Sequence, residues 1–193
     1  MMSDKKFQSY QGQFLIAMPA LMDPNFNQTV SVICEHNING AIGIAINRLH
    51  PKLTGKEIFA DIKINCIPSV NAIPIYIGGP VNPLQVFVLH GPPFHWKGSV
   101  KITPHVALTT SLDVMNGIAI GEGPQQYLIT LGYSGWTNGQ LEAEMMANTW
   151  FFAPINETIL FDVPVQSRWE KAGQSIGINP NLICKLQQGS KLC

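Results

Sequence analysis

A thiol, a carboxylate and an imidazole occupy consecutive positions in Cys34-Glu35-His36, and thiol-dependent catalysis uses these groups. Residues 29–36 alternate in polarity, which predicts a β-strand. In a strand, Glu35 projects to one face while Cys34 and His36 project to the other, with Cα atoms about 6.5–7 Å apart. That separation is long for a hydrogen bond between thiol and imidazole. Cys34 and His36 are therefore catalytic candidates for a hydrolase or thiol-dependent enzyme, and a buried, unreactive cysteine is the alternative.

The dipeptide Asn39-Gly40 is the strongest hairpin signal in the chain and joins residues 29–36 to a second alternating segment, residues 40–47. Regular pairing predicts one shared face: Val32, Cys34 and His36 beside Ala41, Gly43 and Ala45. Glu35 is expected on the opposite face. The strip of small residues leaves room for a close approach by a packed helix, another backbone segment or a ligand.

Other motifs do not complete a known catalytic pattern. The segment Gly132-Tyr133-Ser134-Gly135-Trp136 departs from a nucleophile elbow because tryptophan stands where the pattern needs glycine. Gly78-Gly79-Pro80 lacks the lysine and hydroxyl residue of a phosphate-binding loop. The five histidines lack the spacing of a helix-borne zinc site, and the four cysteines lack a paired spacing. We therefore expect no metal, cofactor or disulfide framework.

A helix is predicted to start at Thr137, which can act as its N-cap with Gln140 completing a capping box. Glu142 and Glu144 then lie in the first turns, where the helix dipole favours negative charge. Carboxylates two residues apart on a helix point in different directions, so these two are not expected to converge on one substrate. The same N-terminal signature occurs at Thr54 and Glu57.

The composition is balanced in charge and poor in charged residues. Lysine plus arginine equal aspartate plus glutamate at 12 each, so no net field attracts nucleic acid. Charged residues are 12% of the chain, against roughly 25% in typical soluble domains, which makes a homo-oligomer a hypothesis. No segment has the ~18 apolar residues of a membrane span, and the N-terminus lacks an apolar signal core. We expect a cytoplasmic protein without membrane contact.

Predicted strands outnumber predicted helices and the helices interrupt them irregularly. Helices are predicted at residues 54–62, 111–120 (capped by Thr110), after Thr137 and around 165–172; short strands include 149–152 and 158–161. This pattern predicts a mixed α/β fold with a largely antiparallel or mixed, partly barrel-like sheet and three to four flanking helices. The length favours a single domain, residues 1–193, with 1–10 and 181–193 as loosely ordered tails.

Six blocks cover nearly the whole chain in order: FLIAMPALMDPNFNQTV at 14–30, ICEHNINGAIGIAIN at 33–47, IGGPV at 77–81, TTSLDV at 109–114, GYSGWTNGQLEAEMMANTWF at 132–151 and ILFDVPVQSRWEKA at 159–172. Together they resemble the YqgE/AlgH family of small bacterial proteins. The family's motif positions present here are Cys34, Glu35, His36, Asn39, Gly40, Asn47, Ser134, Trp136, Gly139, Gln140, Glu142, Trp150 and Arg168. The resemblance implies a compact mixed α/β domain with a barrel-like sheet and carries over no cofactor or catalytic residue.

Three function classes follow. The leading hypothesis is a cytoplasmic binding or regulatory module for a small ligand or a protein partner. Its candidate ligand-binding residues are Glu35, Asn39, Asn47, Ser134, Trp136, Gln140, Glu142 and Arg168. The alternatives are an enzyme using Cys34 and His36, and a scaffold acting through an oligomer surface. The family resemblance adds transcriptional regulation, direct or indirect, and the neutral charge makes direct DNA contact the less favoured route.

Overall fold

The computed structural model describes residues 7–189 and contains one curled, largely antiparallel sheet with helices around it. The strands are β1 (Gln13–Ala17), β2 (Val30–Asn37), β3 (Gly40–Ala45), β4 (Leu49–Thr54), β5 (Pro74–Ile77), β6 (Val81–His90), β7 (Val100–Lys101), β8 (Ala107–Thr109), β9 (Tyr127–Thr137) and β10 (Trp150–Pro154). They lie in the order β10-β1-β2-β3-β9-β6-β8-β7, while β5 pairs with β4 and, in parallel, with β9. The predicted mixed α/β fold with a partly barrel-like sheet is confirmed.

The helices in the described part of the chain are α1 (Gly55–Asp61), α2 (Leu112–Ile120), α3 (Gln140–Met146), α4 (Arg168–Gln174) and α5 (Pro180–Gly189). At α1 the predicted start is confirmed, because the Thr54 amide donates to Glu57 Oε2 at 2.8 Å. At α2 the N-cap is Ser111 and not the predicted Thr110. Helix α3 also begins later than predicted. Pairing with Gly40 keeps Thr137 in strand β9, so the chain turns through Gly139 before the helix begins.

The predicted strand at residues 158–161 is wrong. Thr158–Asp162 forms a single π-helical turn that buries Ile159 and Leu160. The Asn156 side-chain oxygen accepts a hydrogen bond from the Ile159 amide at 3.1 Å and so favours the turn. A four-residue apolar run fits either structure, and periodicity alone does not distinguish them.

Both predicted tails extend beyond the described residues, since 1–6 and 190–193 lie outside them. Contacts are present at both ends of the described range. Ser9 donates to the His36 carbonyl at 2.8 Å, which attaches the N-terminal segment to β2. At the other end, residues 180–189 are helical, and Cys184 packs against the main core.

The two faces of the strands β10-β1-β2-β3-β9 bury different cores. We call the face that carries Trp136 and Trp150 the tryptophan face. Its buried cluster is Leu15, Ala17, Ile33, Ala41, Trp136, Leu141 and Trp150. The opposite face buries the largest cluster, with Phe14, Val32, Cys34 and Ile44 among its members. A third cluster packs α1 and α2 on the β5, β6 and β9 part of the sheet.

A β-bulge interrupts the hairpin of β2 and β3. Ile33 pairs with Gly43 and the next paired residue, Glu35, pairs with Ile42, so Cys34 is an extra residue without a partner. Between the bulge and the turn, His36 of β2 pairs with Ala41 of β3. The bulge therefore changes which side chains of β2 share a face, and this determines the site described next.

Candidate functional site

The bulge separates the two residues that the sequence suggested as a catalytic pair. Cys34 belongs to the core of the opposite face, whereas His36 pairs with Ala41 on the tryptophan face. The predicted shared face is therefore wrong for Cys34 and also for Val32, which pairs with Ile44 in the opposite-face core, because the extra residue breaks the two-residue alternation. Burial raises the pKa of the Cys34 thiol well above its ordinary value, partly opposed by a backbone hydrogen bond from Ile44. Its sulfur contacts the Val32 carbonyl at 3.5 Å.

His36 is 4% exposed and both of its ring nitrogens have partners. The Tyr10 amide donates to Nδ1 at 2.9 Å, and Nε2 lies 3.0 Å from Glu142 Oε1. Because Nδ1 accepts a hydrogen bond, the neutral ring carries its proton on Nε2 and donates it to Glu142. The Tyr10 ring stacks on the imidazole at 5.2 Å. His36 thus joins the N-terminal segment, β2 and α3, and has no free nitrogen for catalysis.

The second acidic residue of α3 has different partners. Glu144 Oε2 accepts hydrogen bonds from the indole nitrogens of Trp136 at 2.9 Å and Trp150 at 2.7 Å. Glu144 Oε1 accepts from the Gln140 amide group at 2.9 Å. Glu142 and Glu144 therefore point apart, as predicted for positions i and i+2. Both carboxylates fix α3 to the sheet rather than facing a common substrate.

Trp136 covers the middle of the strip of small residues. A Cβ at Gly43 would lie 3.0 Å from the Trp136 ring, so the indole rests on this glycine. Ala41 is buried in the same cluster. The room left by the small residues is therefore filled, in the middle of the strip, by a packed side chain of β9 and not by the expected helix, backbone segment or ligand. The two ends of the strip border cavities: Ala41 lines one and Ala45 lines another.

The end of the β2–β3 hairpin forms an open concavity of about 160 Å³, which we call the hairpin notch. Its lining is Glu35, Asn37, Asn39, Gly40, Ala41, Ile42 and Trp136. Glu35 is exposed and accepts a hydrogen bond from the Asn37 side chain at 2.6 Å. The Asn37 side-chain oxygen in turn accepts from the Asn39 amide at 2.8 Å. The notch brings together Glu35, Asn39 and Trp136 from the sequence-based candidates.

Two other candidates have structural partners. The Asn47 oxygen accepts from the Val30 amide at 2.8 Å, and its amide group donates to the Gln28 carbonyl at 2.8 Å. Asn47 thus closes the backbone at the start of β2, where Gln28 has a positive φ of 53°. Gln140 accepts from the Thr137 amide at 3.0 Å and donates to Glu144. Neither side chain lines the hairpin notch.

The last two candidates are buried. Ser134 is 1% exposed, and its hydroxyl has no hydrogen-bond partner in the described residues. Arg168 is 2% exposed and donates from Nε to the Val163 carbonyl at 3.0 Å and from Nη1 to the Ile46 carbonyl. Burial lowers the pKa of Arg168, and the neighbouring Tyr76 opposes that change. Arg168 therefore ties α4 to the end of β3.

Several residues that build this region were not among the candidates. Tyr10 lies in the segment predicted as a tail, and the sequence indicates Glu144 only as a charge near a helix start. Asn37 and Ile42 complete the notch because they flank the turn. The Asn37-x-Asn39 spacing, in which one side chain binds the amide two residues on, is a local turn signal that could have indicated Asn37.

Within residues 7–189, no three His, Cys, Asp or Glu side chains converge as a metal site would require. No helix in that range combines the length and apolar character needed to cross a bilayer.

Known proteins resemble this chain along most of its length. Residues 14–181 match the AlgH-like family. A UPF0301 protein of Desulforapulum autotrophicum is 46% identical over 177 residues, covering 92% of this chain and 94% of that protein. A UPF0301 protein of Legionella pneumophila strain Lens is 45% identical over 175 residues, covering 90% and 92%.

Two solved structures share the fold. The solution structure of the AlgH protein from Pseudomonas aeruginosa superposes with a TM-score of 0.77 at 41% identity, covering 92% of this chain and 96% of that one. The crystal structure of protein DIP2367 from Corynebacterium diphtheriae gives a TM-score of 0.72 at 19% identity, covering 94% and 98%, and shows a common fold alone. The family match, the relatives and the fold agree with the motif blocks quoted above, and the chain belongs to the AlgH-like family.

Proposed function

We propose that this protein is a binding module that recognises a protein partner through the hairpin notch. The observation that carries the proposal is the convergence of Glu35, Asn39 and Trp136 on one open concavity at the tip of a well-anchored hairpin. On the tryptophan face, the hydrogen bond between His36 and Glu142 attaches this hairpin to α3. A recognition site placed on a rigid support is the usual arrangement for binding surfaces.

The size of the notch favours a side chain of a partner over a free small molecule. Pockets that enclose small molecules usually measure about 300–1,000 Å³ and bury most of the ligand. The notch has about 160 Å³ and is open to solvent. A single side chain inserted from a partner's surface fits this volume, and the exposed Ile38 beside the notch, at 66%, supplies apolar contact around it.

The polar groups of the notch favour a cationic side chain. Glu35 carries the negative charge, and one carboxylate oxygen already accepts from Asn37. The remaining carboxylate lone pairs and the Asn39 side-chain oxygen are acceptors, to which arginine or lysine donates. Among the described residues no lysine or arginine forms an ion pair with Glu35. A partner's arginine or lysine would supply the positive charge that pairs with Glu35.

The other function classes have less support. Cys34 and His36 lie on different faces, so they do not form a thiol-imidazole pair. Cys34, Cys66 and Cys184 are free thiols, as is common in the reducing cytoplasm, and this supports a cytoplasmic location. An effect on transcription would then pass through the bound protein rather than through DNA, because the charge is balanced. Self-association stays a prediction, which light scattering at high concentration tests.

Titration of the full-length protein with N-acetyl-arginine methylamide and its lysine counterpart tests the proposal, with the neutral norleucine counterpart as reference. We expect saturable shifts in the amide resonances of Glu35, Asn39 and Gly40 with the cationic probes. Glu35→Gln should weaken the arginine probe about fivefold, the loss of one charge-assisted hydrogen bond. Glu122→Gln, which removes the same charge at a distant exposed position, is the matched control and should change nothing.

Three outcomes would contradict the proposal. One is equal binding of the norleucine and arginine probes, because the acidic notch would then add nothing. Another is equal weakening by Glu35→Gln and Glu122→Gln, which would show a general charge effect. The third is saturable binding whose shifted resonances lie away from residues 35–42.

A further inference from the structure

A second cavity lies at the other end of the strip of small residues. It has about 140 Å³ and is lined by Asn25, Ala45, Arg48, Ile77, Gly79 and Pro80. Its floor is made by short side chains: the Ala45 amide donates to the Gly78 carbonyl at 2.8 Å, and a Cβ at Gly79 would lie 2.4 Å from the Ser134 nitrogen. A void of about 150 Å³ accommodates a benzene-sized molecule, so this cavity suits a small compound or one functional group.

Two buried hydroxyls flank the same strip. Ser31 pairs with Ala45 and Ser134 pairs with Gly43, which places both on the tryptophan face beside the small residues. Ser31 is 0% exposed and Ser134 is 1% exposed, and neither hydroxyl has a hydrogen-bond partner among the described residues. A buried hydroxyl without a partner destabilises the fold, and a bound ligand is one way in which it becomes satisfied.

The side chain at the mouth of the cavity is cationic. Arg48 is half-buried, and its Nη1 donates to the Pro24 carbonyl at 2.7 Å. No carboxylate pairs with Arg48 in the part of the chain that the structure describes. The Asn25 amide group and the two serine hydroxyls can also donate hydrogen bonds. No acidic side chain lines the cavity, so its polar groups match an acceptor that carries negative charge.

We infer that this cavity binds a small organic anion, with a carboxylate or phosphate group held by Arg48 and reaching the hydroxyls of Ser31 and Ser134. Ile77 and Pro80 contact the apolar body of the ligand. Neither serine lines the cavity itself, so reaching their hydroxyls requires the ligand to enter past Ala45 and Gly79, the lining residues that adjoin them. This site is separate from the hairpin notch and takes ligands of opposite charge.

Inorganic phosphate and acetate, each titrated into the full-length protein at constant ionic strength set with sodium chloride, test the inference. We expect saturable shifts of the Arg48 side-chain resonance and of the Ala45 and Gly79 amides. Phosphate and acetate distinguish the two anion types, and saturation by either one supports the site. Arg48→Gln should weaken binding about tenfold, because it removes the charge while keeping a donor for Pro24. Lys52→Gln, at an exposed position, is the matched control and should leave binding unchanged.

Substitution of Ser134 separates a ligand role from a structural role. Ser134→Ala should weaken the anion about fivefold while the unfolding midpoint stays equal or rises, because the alanine removes an unpaired buried hydroxyl. Thr130→Val removes another buried, unpaired hydroxyl, one that pairs with Tyr76 and Phe87 of the opposite-face core, and it should leave binding unchanged.

The inference fails if neither anion saturates, or if Arg48→Gln and Lys52→Gln weaken binding equally. It also fails if Ser134→Ala lowers the unfolding midpoint without changing affinity, since the hydroxyl would then serve the fold through a trapped water. Glu35→Gln should leave anion binding unchanged, so this result does not depend on the outcome at the hairpin notch.

Discussion

The two sides of the β2–β3 hairpin carry similar residue types and use them differently. On the tryptophan face, every polar atom of the His36 ring and the Glu144 carboxylate has a partner, and two of those partners are buried indole nitrogens. At the hairpin notch, the Glu35 carboxylate is exposed, and within residues 7–189 its one side-chain hydrogen bond is with a neighbouring asparagine. The residue types on the two sides are alike, and what distinguishes them is whether their polar atoms are taken up by contacts within the protein. Here the packed side supports the fold, and the open side leaves its carboxylate exposed.

The largest expected effect lies on the packed side. Trp150→Ala should lower the free energy of unfolding by about 3–5 kcal/mol, because it removes a nearly buried aromatic side chain and leaves a cavity beside Trp136. Chemical denaturation with an unchanged slope measures this loss. Ile38→Ala, at the exposed tip of the same hairpin, is the comparison and should stay within about 0.5 kcal/mol of the wild type. Similar losses in the two variants would remove the distinction between the sides.

A smaller loss is expected where a carboxylate holds two indoles. Glu144→Ala should lower the free energy of unfolding by about 2–4 kcal/mol, since the indole nitrogens of Trp136 and Trp150 lose their acceptor in a mostly buried setting. Glu144→Gln keeps an acceptor oxygen and should recover about half of the loss. Urea unfolding of the three proteins checks this order. An alanine variant as stable as the wild type would mean that water satisfies both indoles.

At alkaline pH, Cys34 should lower the free energy of unfolding by about 1.4 kcal/mol per pH unit. Burial raises the pKa of Cys34 in the folded state, whereas the unfolded thiol titrates near its ordinary value of about 8.5. Above that pH the unfolded chain loses a proton that the folded chain keeps, so stability falls as pH rises. Below it the thiol is protonated in both states and contributes no pH dependence. Unfolding measured from pH 8 to 10.5 should show a shallower decline in Cys34→Ala. Identical slopes would mean that the folded thiol is exposed.

The sequence predicted the fold class and most of the strands because their signals are local. The Asn39-Gly40 turn and the alternating segments around it predicted the hairpin, and the structure contains it. The motif blocks pointed to the family, which the relatives confirm. Helix α3 and the carboxylates that point apart follow from helical geometry alone, although its first residue does not, because Thr137 is held in β9 by pairing with Gly40.

The candidate site was predicted less well because one extra residue changes it. Nothing in the local composition of residues 33–35 indicates a bulge, and a one-residue insertion moves Cys34 to the other core. The coverage of Gly43 by Trp136 depends on a strand 93 residues away along the chain, and the role of Tyr10 depends on the N-terminal segment crossing β2. Such long-range contacts leave no periodic signal in the sequence. Of the three candidates that meet in the notch, Glu35 and Asn39 lie close to the turn, and Trp136 pairs with Ala41 beside it.

The most direct test measures stability and probe binding together in Glu35→Gln and Glu142→Gln, two substitutions of the same chemistry on the two sides of the hairpin. We predict that Glu35→Gln weakens the arginine probe about fivefold and leaves the free energy of unfolding within about 0.5 kcal/mol of the wild type. Glu142→Gln, which weakens the 3.0 Å contact with His36, should lower it by about 1 kcal/mol and leave probe binding unchanged. The account is contradicted if Glu142→Gln abolishes binding, or if Glu35→Gln destabilises the fold while binding stays intact.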